Sequence, residues 1–513
     1  MSGMKGFVRT IALDKPSLAN NISDAQRLEF GIKQALGAKK IHIPLSLLRR
    51  LPSHLRVWDW ETKIVLFRDR QTWFLLDLLP PDSQTPVIGA AIDIGTTRVV
   101  IALVDLETGK DLVEEGFDNP QKSVGPDILA RIHHSNREGG LAELQSLLID
   151  GVNRHLADLC NSCGLSLTDI FIITGAGNTA MTHLFLGLDA YHIIKEPYIP
   201  CVNIPDTMNA SELGLNIHEN GHVFLFPNIG SYFGGDLIAG ILYADLDQKQ
   251  SPCIMVDVGT NAEIVVGSRD WLIACAGAAG PALEGGISKM GMTAKPGVID
   301  RVRLNRDKNL CIHTIDEKPP IGICGSGMID LAACLFLSGR IDIRGKFSTD
   351  VCTDRLIDED GINAFILVDK DDSGTGEPIC ISQVDLNLLT SSKAAMYTIL
   401  EVIVKNTAGI SFEDLSTFYV AGTFGSFIDP VSAISIGMLP DIELSVFEVL
   451  GNSSLGGAKK LLKEPEAFDR LLAIREAITY IELNVNQKFM NMFSGAKFYP
   501  HTDRSRFPSV RQG

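Results

Sequence analysis

The chain has 513 residues, 45% of them apolar, enough to bury several cores and, by the usual length scale, about three domains. Its 62 acidic residues outweigh 46 basic ones, and the resulting charge of −16 opposes binding to phosphate backbones or anionic lipid, so neither nucleic acid nor membrane is an expected partner. No apolar run reaches the roughly 18–20 residues that cross a bilayer, the start has no signal-peptide core, and ten cysteines without paired spacing fit reduced thiols, which together predict a cytoplasmic protein.

Residues 1–85 read as a small α/β domain. Val8–Leu13 suits a strand, and Ser23-Asp-Ala-Gln26 is a capping box that opens an amphipathic helix running to Leu36 and stopped by Gly37. Ile41–Pro44 then predicts a short strand, Leu45–Leu55 a helix, and Val57–Trp60, Thr62–Arg68 and Thr72–Leu79 the strands of a meander. Arg49, Arg50, Arg56, Arg68 and Arg70 make this part locally basic, which reads first as a solvated face and second as a surface for an acidic protein. The proline-rich stretch Pro80–Pro86 marks a boundary. Beyond it, apolar strands alternate with helical segments at Leu141–Leu159, Gly235–Ala244, Met328–Leu337, Leu386–Lys405 and Glu464–Phe493, the pattern of an α/β protein. The predicted divisions are 86–250 for a first lobe, 251–450 for a second, and 451–513 for C-terminal helices and a tail. The acidic stretch 340–380 reads as a surface insertion.

The strongest local signal is a repeat. The apolar strand Val87–Ile92 runs into Asp93-Ile-Gly95-Thr96-Thr97 and turns directly into a second strand, and Cys253–Val256 runs likewise into Asp257-Val-Gly259-Thr260-Asn261. A glycine lets such a turn bring backbone N–H groups against phosphate oxygens, threonine hydroxyls add donors, and an aspartate at the strand end can hold Mg²⁺ through water. Two such loops facing each other would clamp a nucleoside triphosphate between two lobes. Thr417–Val420 leads into Ala421-Gly422-Thr423-Phe424-Gly425, where glycines would let adenine and ribose lie against the backbone. Gly325-Ser326-Gly327 opens a helix and suits either close helix packing or an anion at the helix N-terminus. Six glycines between Gly277 and Gly297 read as a loop over the nucleotide.

Other features carry bland readings. Gly175-Ala-Gly177-Asn-Thr-Ala180 imitates a dinucleotide fingerprint without the acidic strand end that should follow it. Cys160-Asn-Ser-Cys163 lacks a second pair for zinc, His133-His134 lacks further ligands, and His183 reads as a satisfied core histidine.

The order Asp93-x-Gly-Thr-Thr, Gly234-Gly235-Asp236, Asp257-x-Gly-Thr, Gly325-Ser-Gly and Ala421-Gly422 resembles the sugar kinase, actin and heat-shock chaperone ATPase superfamily. More narrowly, Gly177-Asn178-Thr179 through Gly187, Ala278 through Gly285, Gly322 through Gly327 and the terminal Tyr499-Pro-His-Thr-Asp503 with Phe507-Pro-Ser-Val510 resemble the ATP-dependent reductive activators of corrinoid proteins. The resemblance implies a two-lobed actin-like, sugar-kinase-like ATPase fold after the small domain. It also implies ATP with Mg²⁺ as cofactors, and a corrinoid protein as the partner that is returned from Co(II) to Co(I). Asp93 and Asp257 would be the magnesium-side carboxylates; Gly95, Thr96, Thr97, Gly259, Thr260 and Asn261 would meet the phosphates; Gly325, Ser326, Gly327, Gly422, Thr423 and Gly425 would line the rest of the nucleotide site. Asp236 would position or deprotonate the attacking water, with a helix N-cap as its bland alternative and Glu263 as the reserve base.

Two departures stand out. Thr423 occupies a position where the family usually has glycine, which narrows the adenine pocket. Cysteines are confined to Cys160–Cys380, so the iron–sulfur domain that family members carry has no local ligands at either end of this chain. The expectation is therefore no iron–sulfur cluster in this chain, either because the sequence is truncated or because a separate low-potential donor such as ferredoxin supplies the electron. A homodimer is compatible with this reading. A small-molecule kinase, with Asp236 activating a substrate hydroxyl, and a nucleotide-switched scaffold are the competing functions.

Overall fold

The computed structural model describes residues 7–258, 261–278, 289–359, 361–422, 425–482 and 487–511. The chain divides into two compact units, Met1–Tyr243 with Ser453–Ala477, and Ala244–Asn452 with Ile478–Gly513.

The first unit begins with β1 (Val8–Ala12), α1 (Asp24–Leu36), β2 (Lys40–His42), α2 (Leu45–Val57), β3 (Glu61–Asp69) and β4 (Thr72–Leu79), whose strands form one sheet in the order β1-β3-β4-β2. Ser23 and Gln26 make the reciprocal capping box of α1, and Gly37 ends it at φ +66°. Leu28 and Ile32 of α1 pack with Leu47, Leu51 and Leu55 of α2 over Ile64, Leu66 and Leu75 of the sheet. The strand expected over Val57–Trp60 does not form. Val57 ends α2, Asp59 and Trp60 take positive φ, and Trp60 N–H closes the helix end on Leu55 O at 2.8 Å. Helix capping overrides local β propensity there, because it also buries the Trp60 ring under Arg27 and Arg56. The basic side chains are largely neutralised in place: Arg50 pairs with Asp77, Arg56 with Asp24, Arg68 with Asp469 and Arg70 with Asp206.

The same unit continues with β5 (Ile88–Ile94), β6 (Arg98–Asp105), β7 (Asp111–Asp118), α3 (Ile128–Ser135), α4 (Gly140–Ser162), β8 (Ile170–Ala176), α5 (Thr179–Leu186), β9 (Met208–Asn209), β10 (His222–Leu225) and α6 (Gly235–Tyr243). Its sheet runs β7-β6-β5-β8-β10-β9, with β5, β8 and β10 parallel and β6 antiparallel to β5. The two-residue alternation of β5 sets which of its side chains enter the core. Ile88, Ala90, Ile92 and Ile94 join the cluster that holds Leu144, Leu148, Val152 and Leu156 of α4. Gly89 faces the opposite way, where a Cβ would meet Leu462 at 2.8 Å, and Asp93 shares the parity of Gly89.

The second unit holds β11 (Cys253–Val258), β12 (Asn261–Ser268), β13 (Trp271–Ala278), β14 (Val298–Leu304), β15 (Leu310–Thr314), β16 (Gly322–Ile323), α7 (Gly325–Leu337), β17 (Leu356–Glu359), β18 (Ile362–Val368), β19 (Ile379–Ser382), α8 (Gln383–Glu401), β20 (Thr417–Ala421), α9 (Pro430–Ser435) and β21 (Phe447–Gly451). The chain then returns to the first unit with α10 (Ser453–Lys463) and α11 (Ala467–Ala477), and ends in the second with β22 (Ile478–Glu482) and α12 (Gln487–Ala496). The second unit's main sheet runs β21-β20-β11-β12-β13-β22, beside the smaller sheets β15-β14-β16 and β17-β18-β19. The single helix expected over Glu464–Phe493 is thus broken. Ile478-Thr-Tyr-Ile481 has β-branched and aromatic side chains and pairs in parallel with β13, a sheet edge that sequence periodicity alone does not reveal. The acidic segment 340–380 folds into the β17-β18-β19 sheet and displays Asp350, Asp354, Asp358, Asp369, Asp371 and Asp372 to solvent.

The terminal motif Tyr499-Pro-His-Thr-Asp503 is a clasp on α8. Buried Lys393 donates to the carbonyls of Phe498 and Pro500, Thr390 bonds the Tyr499 hydroxyl at 2.9 Å, and Arg506 pairs with Glu401. Within the clasp, Asp503 N–H donates to Nδ1 of His501 at 2.9 Å, and burial, reinforced by the charges of Arg506 and Lys393, holds that imidazole down to about 4 from 6.5. The unfolded chain therefore binds the proton first, and stability is lost as pH falls from about 6.5 toward 4. His501→Asn, whose amide oxygen can accept the same bond, should show a smaller drop in urea midpoint between pH 7 and pH 4.5 than the unaltered protein.

Candidate functional site

The last β5–β6 pair is Ile94 with Val99, and Gly95–Thr97 form the loop between the two strands. A Cβ on Gly95 would lie 2.2 Å from Arg98 O, so only glycine fits this turn. Three successive carbonyls of the loop are tied to the body of the unit. Asn119 Nδ2 donates to Gly95 O at 2.9 Å, Arg131 Nη2 to Thr96 O at 2.7 Å, and Asn119 N–H to Thr97 O at 3.0 Å. A trans peptide carries its N–H opposite its carbonyl, so tethering these three oxygens turns the amides of Thr96, Thr97 and Arg98 the other way. Adjacent amides aimed to one side form an anion cradle.

Arg131 is the anchor. Its guanidinium is buried, donates also to Gly125 O at 2.9 Å and Gln121 Oε1 at 3.2 Å, and is pushed down to about 10 by desolvation, partly offset by Asp127; it stays charged at neutral pH. Thr96 Oγ1 receives Asn178 Nδ2 at 3.0 Å. Asp93, placed by strand parity on the face opposite α4, accepts from Ser454 Oγ of α10 at 2.9 Å.

Asp236 lies in the first turn of α6, one residue inside the helix rather than at its cap. Asn228 Oδ1 accepts from Gly235 N–H at 3.0 Å, and Asp236 N–H reaches Gly177 O at 3.3 Å. A Cβ on Gly234 would meet Asn178 Cα at 2.5 Å and Asp236 Oδ1 at 2.6 Å. The first unit therefore brings Gly95, Thr96, Thr97, Asn178 and Asp236 into one hydrogen-bonded neighbourhood, and Asp93 closes the strand beneath it.

In the second unit, Asp257 is one residue before the end of β11 and stands directly across from Glu263 of β12, both on the face opposite the core residues Val256, Val258 and Ala262. On its other side Asp257 is in register with Ala421 of β20, and the following Gly422 has φ +85°. A Cβ there would come within 2.5 Å of Asp257 Oδ1, so this glycine makes room for the carboxylate. Gly425 is buried against Val420. Gly325, Ser326 and Gly327 open α7: Ser326 Oγ donates to Asp300 O at 3.0 Å, and a Cβ on Gly327 would meet Ile299 O at 2.5 Å, contacts that favour close packing of the helix on β14. Gly259, Thr260, Thr423 and the glycines 280, 285 and 286 lie outside the described residues, as does the side chain of Asn261.

The histidines and cysteines with bland readings sit as those readings expect. His183 is fully buried, bonds Thr179 O at 2.7 Å and receives Cys201 N–H at 3.0 Å, and burial lowers its pKa. His134 pairs with Glu143 at 2.8 Å. Cys160 is a buried thiol pushed up to about 11 by desolvation, whereas Cys163 is exposed. Among the described residues no helix is long and apolar enough to cross a membrane, and no group of three or more His, Cys, Asp or Glu is arranged to hold a metal ion.

An antiparallel hairpin with an aspartate next to the end of its first strand in each of two sheet-centred units, following a small α/β domain, defines an actin-like, sugar-kinase-like ATPase fold. Comparison with known proteins narrows this. Three family models match in succession, the RACo linker region over residues 8–85, the RACo middle region over 88–249 and the C-terminal ASKHA domain of RACo over 251–511, and the chain belongs to the RACo family. It is 32% identical over 429 residues to the corrinoid activation enzyme RamQ of Eubacterium limosum, covering 82% of this chain and 72% of that protein. It is 24% identical over 438 residues to a Methanosarcina barkeri reductase of Co(II) methylated amine-specific corrinoid protein, covering 79% and 76%. The solved structure of a reductive activator for corrinoid, iron–sulfur protein superposes with a TM-score of 0.86 at 34% identity, over 99% of this chain and 82% of that one.

Sequence reasoning does not single out Asn119, Arg131, Asn178 or Ser454 as site residues. Arg131→Met would leave the carbonyls of Thr96 and Gly125 without their buried donor, and should cost about 3 kcal/mol in urea unfolding. The same variant should weaken nucleotide binding more than tenfold in calorimetric titration.

Proposed function

We propose that this chain binds and hydrolyses Mg·ATP and uses that cycle to return a corrinoid protein from Co(II) to Co(I), with the electron arriving from a separate low-potential donor such as ferredoxin. The observation that carries the nucleotide reading is the loop Gly95–Thr97, whose three carbonyls are each tied to the body of the unit. The family and the corrinoid-directed names of its relatives support the partner. The site of action is the cytoplasm.

On this reading the amides and hydroxyls of Thr96 and Thr97 donate to phosphate oxygens, and Asp93, steadied by Ser454, would hold Mg²⁺ through water. Magnesium would neutralise phosphate charge in the transition state. Asp257 of the second unit has the same strand-end placement and takes the corresponding role there. Asp236 accepts the proton of the attacking water, which leaves ADP and inorganic phosphate as products. Hydrolysis moves no electron: the single electron that converts Co(II) to Co(I) passes from the donor to cobalt, and the nucleotide cycle supplies the conformational drive that makes this low-potential step favourable.

The deciding measurement is a reconstituted reaction containing Co(II) corrinoid protein, reduced ferredoxin, Mg·ATP and this chain, followed optically for Co(I). ATP-dependent formation of Co(I) is expected; no difference between reactions with and without ATP would overturn the proposal. Asp236→Asn should bind ATP within about threefold of the unaltered protein yet hydrolyse it at least about a hundredfold more slowly, the range expected on removing a general base. Phosphorylation of a small metabolite by the intact chain, in place of ATP hydrolysis, would instead point to a kinase.

A further inference from the structure

The nucleotide reading leaves open what directs the Thr96 hydroxyl. Asn178 is the N-cap of α5, and its Oδ1 accepts Met181 N–H at 2.9 Å. Only an oxygen can accept that bond, so the other end of the amide, facing Thr96 Oγ1 at 3.0 Å, is the NH₂ donor. The Asn178 backbone has little freedom to drift. A Cβ on the preceding Gly177 would meet Ile94 O at 2.9 Å, and a Cβ on Gly234 would meet Asn178 Cα at 2.5 Å, so two glycines let β5 and the start of α6 close on it. Met181, whose amide fixes the Asn178 oxygen, also has its sulfur 3.4 Å from Arg131 Nη1, the guanidinium that tethers the Thr96 carbonyl.

A hydroxyl has one proton. Because Thr96 Oγ1 accepts from Asn178, that proton cannot be spent on the same partner and points elsewhere. Thr96 is half-buried, and its carbonyl is held toward Arg131. We propose that Asn178 is a positioning residue that makes Thr96 a directed hydroxyl donor to a phosphate oxygen, on the side to which the loop amides also turn. This inference rests on the nucleotide reading above and adds to it a residue that does not itself touch the nucleotide.

The helix cap and the Thr96 contact use different atoms of Asn178, so they can be separated. Asn178→Ser keeps an N-cap oxygen but is too short and has no NH₂ to reach Thr96. Asn178→Asp keeps an equally good cap but replaces the donor by a carboxylate, which would draw the Thr96 proton to itself and place negative charge behind the loop. ATP and ADP affinities by calorimetry and thermal melting without nucleotide should be measured for both variants, for Thr96→Val, and for the double variant Asn178→Ser with Thr96→Val. The expected result is melting within about 3 °C of the unaltered chain for both Asn178 variants, with ATP affinity about tenfold weaker for the serine variant and weaker still for the aspartate. The double variant should bind no more weakly than Thr96→Val alone, since both changes remove one directed donor. Normal affinity in both Asn178 variants, additive losses in the double variant, or melting lowered by more than about 5 °C in both would overturn the role of Asn178 while leaving the nucleotide reading standing. Failure of the unaltered chain to bind ATP would overturn that reading itself.

Discussion

The first unit's candidate site depends on one buried cation. The donors of Arg131 go to the carbonyls of Gly125 and Thr96, to a glutamine oxygen and to a thioether. A buried guanidinium is costly unless its N–H groups are satisfied, so the carbonyls around it are held as firmly as it is. The loop Gly95–Thr97 thereby receives its orientation from behind. Its outward amides need no reorganisation when an anion arrives, which is the condition under which backbone dipoles bind phosphate well.

Much of the framework was legible because it obeys local rules. Ser23 with Gln26, Gly37, the strand Thr72–Leu79 and the helices beginning near Gly140 and Gly235 come from capping and from periods of 2 and 3.6. The hairpin loops were legible for the same reason: a strand that ends in Asp-x-Gly-Thr announces a tight turn wherever it occurs. What sequence could not supply is the set of partners. Arg131, Asn178 and Ser454 reach the β5 hairpin from 35, 82 and 361 residues away, and nothing in the local spacing of a buried arginine or a helix-starting serine tells which loop it will meet. Asn178 did carry a faint signal, since Gly177-Asn-Thr at a strand end is a cap sequence. Its second contact is purely tertiary.

The misread segments fail for one reason, the absence of tertiary context. Ile478–Glu482 continues a helical pattern but meets the open edge of β13, and pairing there satisfies its backbone while burying Ile478 and Ile481 only in part. Val57–Trp60 has the residue types of a strand, yet the end of α2 needs a partner for Leu55 O, and Trp60 N–H provides it. The terminal Tyr499–Asp503 motif was part of the family resemblance, and its contacts are those of a clasp on α8. A conspicuous motif and a chemical site are therefore different things in this molecule.

The two hairpins share a construction, with an aspartate one residue before the end of the first strand in each. Asp93 is met by a hydroxyl from α10, a helix that enters the first unit only after the chain has traversed the second. Beside Asp257, Gly422 at φ +85° leaves room for the carboxylate, since a Cβ there would come within 2.5 Å of Oδ1. Away from these strands, the buried thiols of Cys160 on α4 and Cys334 on α7 are pushed up to about 11 and about 12 by desolvation and remain protonated. The carboxylate, hydroxyls and backbone amides gathered at the first hairpin are the kinds of group that suit a phosphate cycle.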